Sequence, residues 1–190
     1  MALVMTSAPA LEPVTVAEAK AHLRVDSAAE DALIASLILT ARLHIETALG
    51  LALITQGWRL SLDRWPEARE VELPLRPLQA VEEVRIIGAD GEATVIAASQ
   101  YLVDVGSSPP RLVRRNALPA PGPAVNGIEI DLIAGYGDEA SDVPATIRQA
   151  LLLLVAHWHE HRHPIDVGAA DTAVPAAVSE LLMPFRVARL

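Results

Sequence analysis

The chain has 190 residues, 52% apolar and 21% charged, with 24 acids against 15 bases for a net charge of −9, and no cysteine. That apolar content can offset the ordering entropy of a domain, which excludes a chain disordered throughout, and the longest apolar run, 150–156, is far short of the roughly 20 residues of a bilayer span. The acid surplus excludes the usual passive duplex binder, which gains affinity by neutralising phosphates, and the missing cysteines exclude disulfides, thiol nucleophiles and thiolate metal sites.

Residues 1–13 show no period and no charged-then-apolar leader, and read as a loose arm. Thr15-Val-Ala-Glu18 is a capping-box pattern, in which hydroxyl and carboxylate satisfy each other's backbone donors, and predicts a helix over 16–24. A second box, Ser27-Ala-Ala-Glu30, opens a longer helix over 27–49. Its Leu33, Ile34, Leu37, Ile38, Ala41, Ile45, Ala48 and Leu49 follow the 3/4 spacing of one buried stripe. Gly50 is the expected left-handed stop.

From Leu53 the period becomes two. Trp58, Leu60 and Leu62 alternate with Arg59, Ser61 and Asp63; Val71, Leu73 and Leu75 alternate with Glu70, Glu72 and Pro74. Val84 and Ile86 continue the pattern, and Ala89-Asp-Gly-Glu92 is a tight-turn signal leading to a strand over 94–96. Tyr101, Val103 and Val105, then Ile128, Ile130 and Leu132, complete a mostly antiparallel sheet over 53–137, interrupted by the Pro-rich loop 116–123. Pro144 suits a first helical turn and Pro164 ends the pattern, so a helix spans 144–163. A short helix follows over 175–183, and 184–190 reads as a basic C-terminal arm. The fold class is α+β: a small helical bundle with an inserted, mostly antiparallel sheet, forming one domain over 1–183.

For chemistry, the most conspicuous string is His157-Trp-His-Glu-His-Arg-His163, in which His159, Glu160 and His163 formally satisfy H-E-x-x-H, the zinc-protease helix pattern. Its context is poor. Pro164 cuts the helix at once, and a third ligand would have to come from Asp166, Asp171 or Glu180, none at a diagnostic spacing. A helix C-terminus decorated with His and Arg is also what the helix dipole favours. His159 and His163 are therefore candidates for adventitious metal only, and no cofactor is expected. The carboxylate neighbours Glu30/Asp31 and Glu82/Glu83 point apart on their elements. No phosphate-binding loop surrounds the single lysine, Lys20, and no G-x-S-x-G appears. Trp58, Trp65 and Trp158 read as core or interface anchors.

Several segments, in order along nearly the whole chain, carry a resemblance. They are Val14-Thr-Val-Ala-Glu-Ala-Lys-Ala-His-Leu-Arg-Val-Asp26, Glu30-Asp-Ala-Leu-Ile34 and Leu53-Ile-Thr-Gln-Gly-Trp-Arg-Leu60. Ala134-Gly-Tyr-Gly-Asp138, Val143-Pro-Ala-Thr-Ile-Arg-Gln-Ala150, Leu153-Leu-Val-Ala-His-Trp158 and Leu181-Leu-Met-Pro-Phe-Arg186 follow. Together they resemble the head–tail connector (adaptor, or head-completion) proteins of long-tailed phages and phage-like gene transfer agents. The resemblance implies a structural protein, not an enzyme, made in the bacterial cytoplasm and placed in the particle neck. It implies a ring, typically of twelve subunits, between the portal and the next neck protein (a stopper or equivalent), with DNA passing through unbound. On that reading Phe185, Arg186, Val187, Arg189 and Leu190 contact the portal, or else cover their own subunit's core. Glu67, Glu70, Glu72, Glu82 and Glu83 are candidates for the channel lining or an intersubunit face. The rival readings are a zinc metallohydrolase on His159, Glu160 and His163, and a small binding module using the sheet edge.

Overall fold

In a computed structural model of the chain, residues 1–161 and 174–186 are described. The elements in chain order are β1 (Ala2–Ser7), α1 (Val16–Leu23), α2 (Asp31–Leu49), β2 (Gln56–Leu62), β3 (Glu70–Glu72), β4 (Leu78–Ile87), β5 (Ala93–Val95), β6 (Tyr101–Asp104), β7 (Arg111–Arg114), β8 (Ile128–Ala134), α3 (Ala145–Glu160) and α4 (Ala176–Leu182). They fall into two compact units. One combines Met1–Ala10 with Gly50–Tyr136; the other combines Leu11–Leu49 with the chain from Gly137 onward.

The helical unit is built from local signals. Thr15 Oγ1 accepts from the Glu18 N–H at 3.1 Å while Glu18 Oε2 accepts from the Thr15 N–H at 2.8 Å, so the predicted capping box forms and starts α1. Ser27 instead caps the N–H of Ala29 at 3.2 Å, and α2 is entered through a 3₁₀ turn over Ala28–Glu30. Ile34, Ile38, Ala41, Ile45 and Leu49 form the buried stripe of α2. α3 supplies Ile147, Ala150, Leu151, Leu154 and Val155, and packs on α1, α2 and α4. Each of those large aliphatic side chains contributes about 2 kcal/mol by leaving water. The α2 stripe is narrower than its sequence suggests, because Leu33 and Ala48 are exposed. α3 also stops earlier than predicted, at Glu160 with His161 as its cap; His163 and Pro164 lie outside the described residues.

By length and composition alone, Ala28–Leu49 could cross a bilayer, which the longest uninterrupted apolar run did not reveal. Its inner face carries the buried Arg42 and Glu46 and packs on α1 and α3, the pattern of a core helix.

The β unit holds a five-stranded sheet in the order β1-β2-β8-β4-β5 and a three-stranded sheet in the order β3-β7-β6, every pairing antiparallel. The sequence alternation reads one sheet, since a period of two reports facing and not partners. Leu60, Val84, Ile86, Ile128, Ile130 and Leu132 from the larger sheet share a core with Val71, Tyr101 and Leu112 from the smaller. Gly50 (φ +62°) takes the predicted left-handed stop after α2.

The loose N-terminal arm is corrected. Ala2–Ser7 is the edge strand β1, with Val4 opposite Arg59 and Leu3 opposite Leu60 on β2. Its run of small and apolar residues shows no alternation because only Leu3 and Met5 turn inward, leaving Val4 58% exposed. Two bulges shape β4. Gln79 and Glu82 are the extra residues in its register with β8, and Gln79 turns its amide to Thr55 Oγ1 and the Gly135 carbonyl, both at 2.9 Å.

Candidate functional site

α4 begins after Pro175 and buries Val178 and Leu182 while packing on α3. A 3₁₀ turn over Met183–Phe185 follows, closed by Arg186 N–H donating to the Met183 carbonyl at 3.2 Å. Phe185 is half-buried and Arg186 is exposed. The backbone at Arg186 is extended, with φ −72° and ψ 140°, so the last helical turn ends there. Val187, Arg189 and Leu190 lie outside the described residues.

The five acids lie on three stretches of the β unit: the segment before β3, β3 itself and β4. Glu67 is exposed on the segment before β3, whose backbone is held by Arg114 Nη2 donating to the carbonyls of Pro66 at 2.7 Å and Ala68 at 2.6 Å. Glu70 and Glu72 flank buried Val71 on β3 and share its exposed face. Glu70 accepts from Arg111 Nη1 at 3.0 Å, and Arg111 Nε donates to Asp104 at 3.1 Å. Glu82 is exposed because it sits in a bulge. Glu83 is half-buried and accepts from Arg85 Nη1 at 2.6 Å. Glu67, Glu72 and Glu82 have no ion pair among the described residues.

Glu83 belongs to a cluster that the sequence alternation does not reveal. β8 lies between β2 and β4, which brings Arg59, Glu129, Asp131, Arg85 and Glu83 onto the outer face of the larger sheet. Arg59 grips Asp131 with both ends of its fork, Nε to Oδ1 at 2.7 Å and Nη2 to Oδ2 at 3.1 Å. From the other side Arg85 Nη2 donates to the same Asp131 Oδ2 at 2.7 Å, and its Nε donates to Glu129 at 3.2 Å. Burial pushes the Asp131 carboxyl up, but the hydrogen bonds and charges of Arg59 and Arg85 more than reverse this and hold it below the ordinary carboxylate range. The hint in the sequence was the polar partner of each inward residue; the pairing needed the strand order.

At the end of α3, His159 Nε2 lies 2.8 Å from Glu30 Oε2, so the first histidine of the H-E-x-x-H string ties α3 to the entry of α2. Glu160 is exposed, and His161 Nδ1 turns to the His157 carbonyl at 2.8 Å. No group of three metal-ligating side chains exists among the described residues. The arrangement is one of packing surfaces and ion pairs.

The family model described as head completion protein matches residues 12–186. The chain belongs to that family. A head completion protein is a structural component of the head–tail neck, and nothing in the geometry above supports the metallohydrolase alternative. Solved structures agree over the full length. A chain in the neck of an empty gene transfer agent particle, computed with C6 symmetry, is 33% identical with a TM-score of 0.85, covering 100% of this chain and 97% of that one. A chain of the native gene transfer agent virion matches with the same identity, coverage and TM-score. A chain in the native neck computed with C12 symmetry gives a TM-score of 0.83 at 33% identity. No curated protein matches the sequence.

Proposed function

We propose that this head completion protein assembles as a ring of twelve subunits under the portal of a phage-like particle, with the next neck protein, a stopper or its equivalent, on the tail side. The observation that carries the reading is the full-length likeness, at 33% identity, to a chain in a neck computed with C12 symmetry. DNA passes through the ring without specific contacts. The net charge of −9 suits a passage in which attractive phosphate contacts would act as brakes.

Residues 1–183 act as one connector domain, and the arm 184–190 docks on the portal through Phe185, Arg186, Val187, Arg189 and Leu190. The exposure of Arg186 and the extended backbone there support an arm that begins where the last helical turn ends. Ordering a short terminal segment on a partner is a usual way to join two proteins. Glu67, Glu72 and Glu82, without ion pairs among the described residues, are the better channel-facing candidates of the five acids. Glu70 and Glu83 are already engaged by Arg111 and Arg85.

Deleting 184–190 in particle-producing cells tests the arm. The truncated protein keeps a cooperative melting transition, and so its fold, while the cells yield DNA-filled heads without tails. Normally tailed particles from that truncation would contradict the assignment.

A further inference from the structure

The outer face of α2 is inverted relative to an ordinary surface helix, which turns charge to water and apolar side chains inward. Between Ala32 and Ala48 the only Asp, Glu, Lys or Arg residues are Arg42 and Glu46, and both are buried. The solvent side instead shows Leu33, Leu39 and Leu43, 37%, 42% and 43% exposed, among alanine, serine and threonine. At its C-terminal end this side opens into a groove lined by Thr40, Leu43, His44, Thr47 and Ala48. Trp158 of α3 packs edge-on against His44 with ring centroids 5.9 Å apart. Single exposed leucines are ordinary. A face about 25 Å long without one Asp, Glu, Lys or Arg is not.

We propose that this face of α2 is a subunit-to-subunit surface, covered by a second copy of the chain in the assembled ring; the inference rests on the ring reading above. Charge selects the occupant. Copies that each carry −9 repel one another, so a contact between them costs least where acids are absent, and such a face also spares the desolvation that depletes the cores of protein interfaces of charge. The face offers DNA no cation for its phosphates. A ring closes through heterologous contacts, so the α2 face packs on a different surface of the neighbour.

The test places the photo-cross-linking residue benzoylphenylalanine at Leu43 in particle-producing cells, with irradiation of the purified particles. The expected product has twice the 20.2 kDa mass of the chain and joins peptides of two copies. Cross-links only to another neck protein, only within one chain, or none at all would overturn the proposal. The same probe at Thr47 reads the same face if bulk at position 43 blocks assembly. With 24 acids and one lysine in the chain, a carboxylate-directed dihydrazide cross-linker applied to the same particles separates the two readings. A multi-subunit ladder without a cross-link from α2 defeats this surface alone, whereas absence of the ladder defeats the ring. Independently, Leu39→Glu with Leu43→Glu leaves the melting temperature of the purified protein unchanged and lowers the yield of tailed particles about tenfold or more; an unchanged yield would also overturn the proposal.

Discussion

Arg42 and Glu46 stand one turn apart on the buried side of α2, with Arg42 Nη1 donating to Glu46 Oε2 at 2.8 Å. Arg42 is 4% and Glu46 7% exposed, and the other edge of the guanidinium is bound by Glu12, Nε to Oε2 at 2.7 Å and Nη2 to Oε1 at 3.2 Å. One cation thus ties the segment before α1 to the middle of α2. Removing one partner of a buried pair costs far more than the pair contributes, because the other charge stays in a poor medium. Arg42→Ala should therefore destabilise the protein by about 3 kcal/mol. Arg42→Met with Glu46→Leu should recover most of that loss. Urea titrations of both variants measure the two effects, and equal losses would show that the ion pair is not the cause.

A second prediction concerns acid. Asp131 is held below the ordinary carboxylate range by Arg59 and Arg85, and Glu18 likewise by its hydrogen bonds with Thr15 and the charge of Arg148. A carboxyl depressed in the folded state contributes stability that is complete above its unfolded pKa and is lost as the pH falls through its folded one. The wild-type melting temperature should fall steeply as the pH drops below about 4. Asp131→Asn should lower the melting temperature near pH 7, and the gap to wild type should narrow toward about pH 2. A constant gap across that range would mean that the Asp131 charge adds nothing to stability.

Gly135 closes β8 with φ +143°, and a Cβ added there would lie 2.5 Å from the Thr55 nitrogen and 2.6 Å from the Ile54 carbonyl carbon. Both atoms are backbone and cannot swing aside. Gly135→Ala should cost about 2 kcal/mol or more and lower the melting temperature by roughly 5 °C. Differential scanning calorimetry checks this, and an unshifted transition would contradict the close approach.

The histidine string gives a fourth prediction. With His159 turned to Glu30, untagged protein should carry substoichiometric zinc in elemental analysis, and Glu160→Gln should leave the yield of tailed particles unchanged. One tightly held zinc per chain, or loss of particles in the Glu160 variant, would bring the metal reading back.

Much of the helical unit was legible because its signals are local. The Thr15/Glu18 box, the Ile34 to Leu49 stripe and the Gly50 stop each lie within a few residues of what they control. The β strands were legible as strands and not as sheets, because the partner of Val71 is Leu112 on β7 while that of Leu60 is Ile130 on β8. No spacing in the sequence separates those two choices. β1 was missed for the same reason: an edge strand half open to water needs β2 beside it to be recognised. The Arg59–Asp131–Arg85 cluster joins residues 72 and 46 positions apart, so it exists only once the strand order is known. The outward face of α2 was hidden by its own composition. Leu33 and Ala48 fit the buried stripe by spacing, and only packing shows that they are exposed.

The most direct test of the neck assignment is the copy number of this chain in purified tailed particles, by quantitative mass spectrometry against the portal protein of the same particles. The proposed ring of twelve subunits predicts about twelve copies of this chain per particle, in a fixed ratio to the portal. Tailed particles that lack the chain, or hold it far below the portal, would contradict the account.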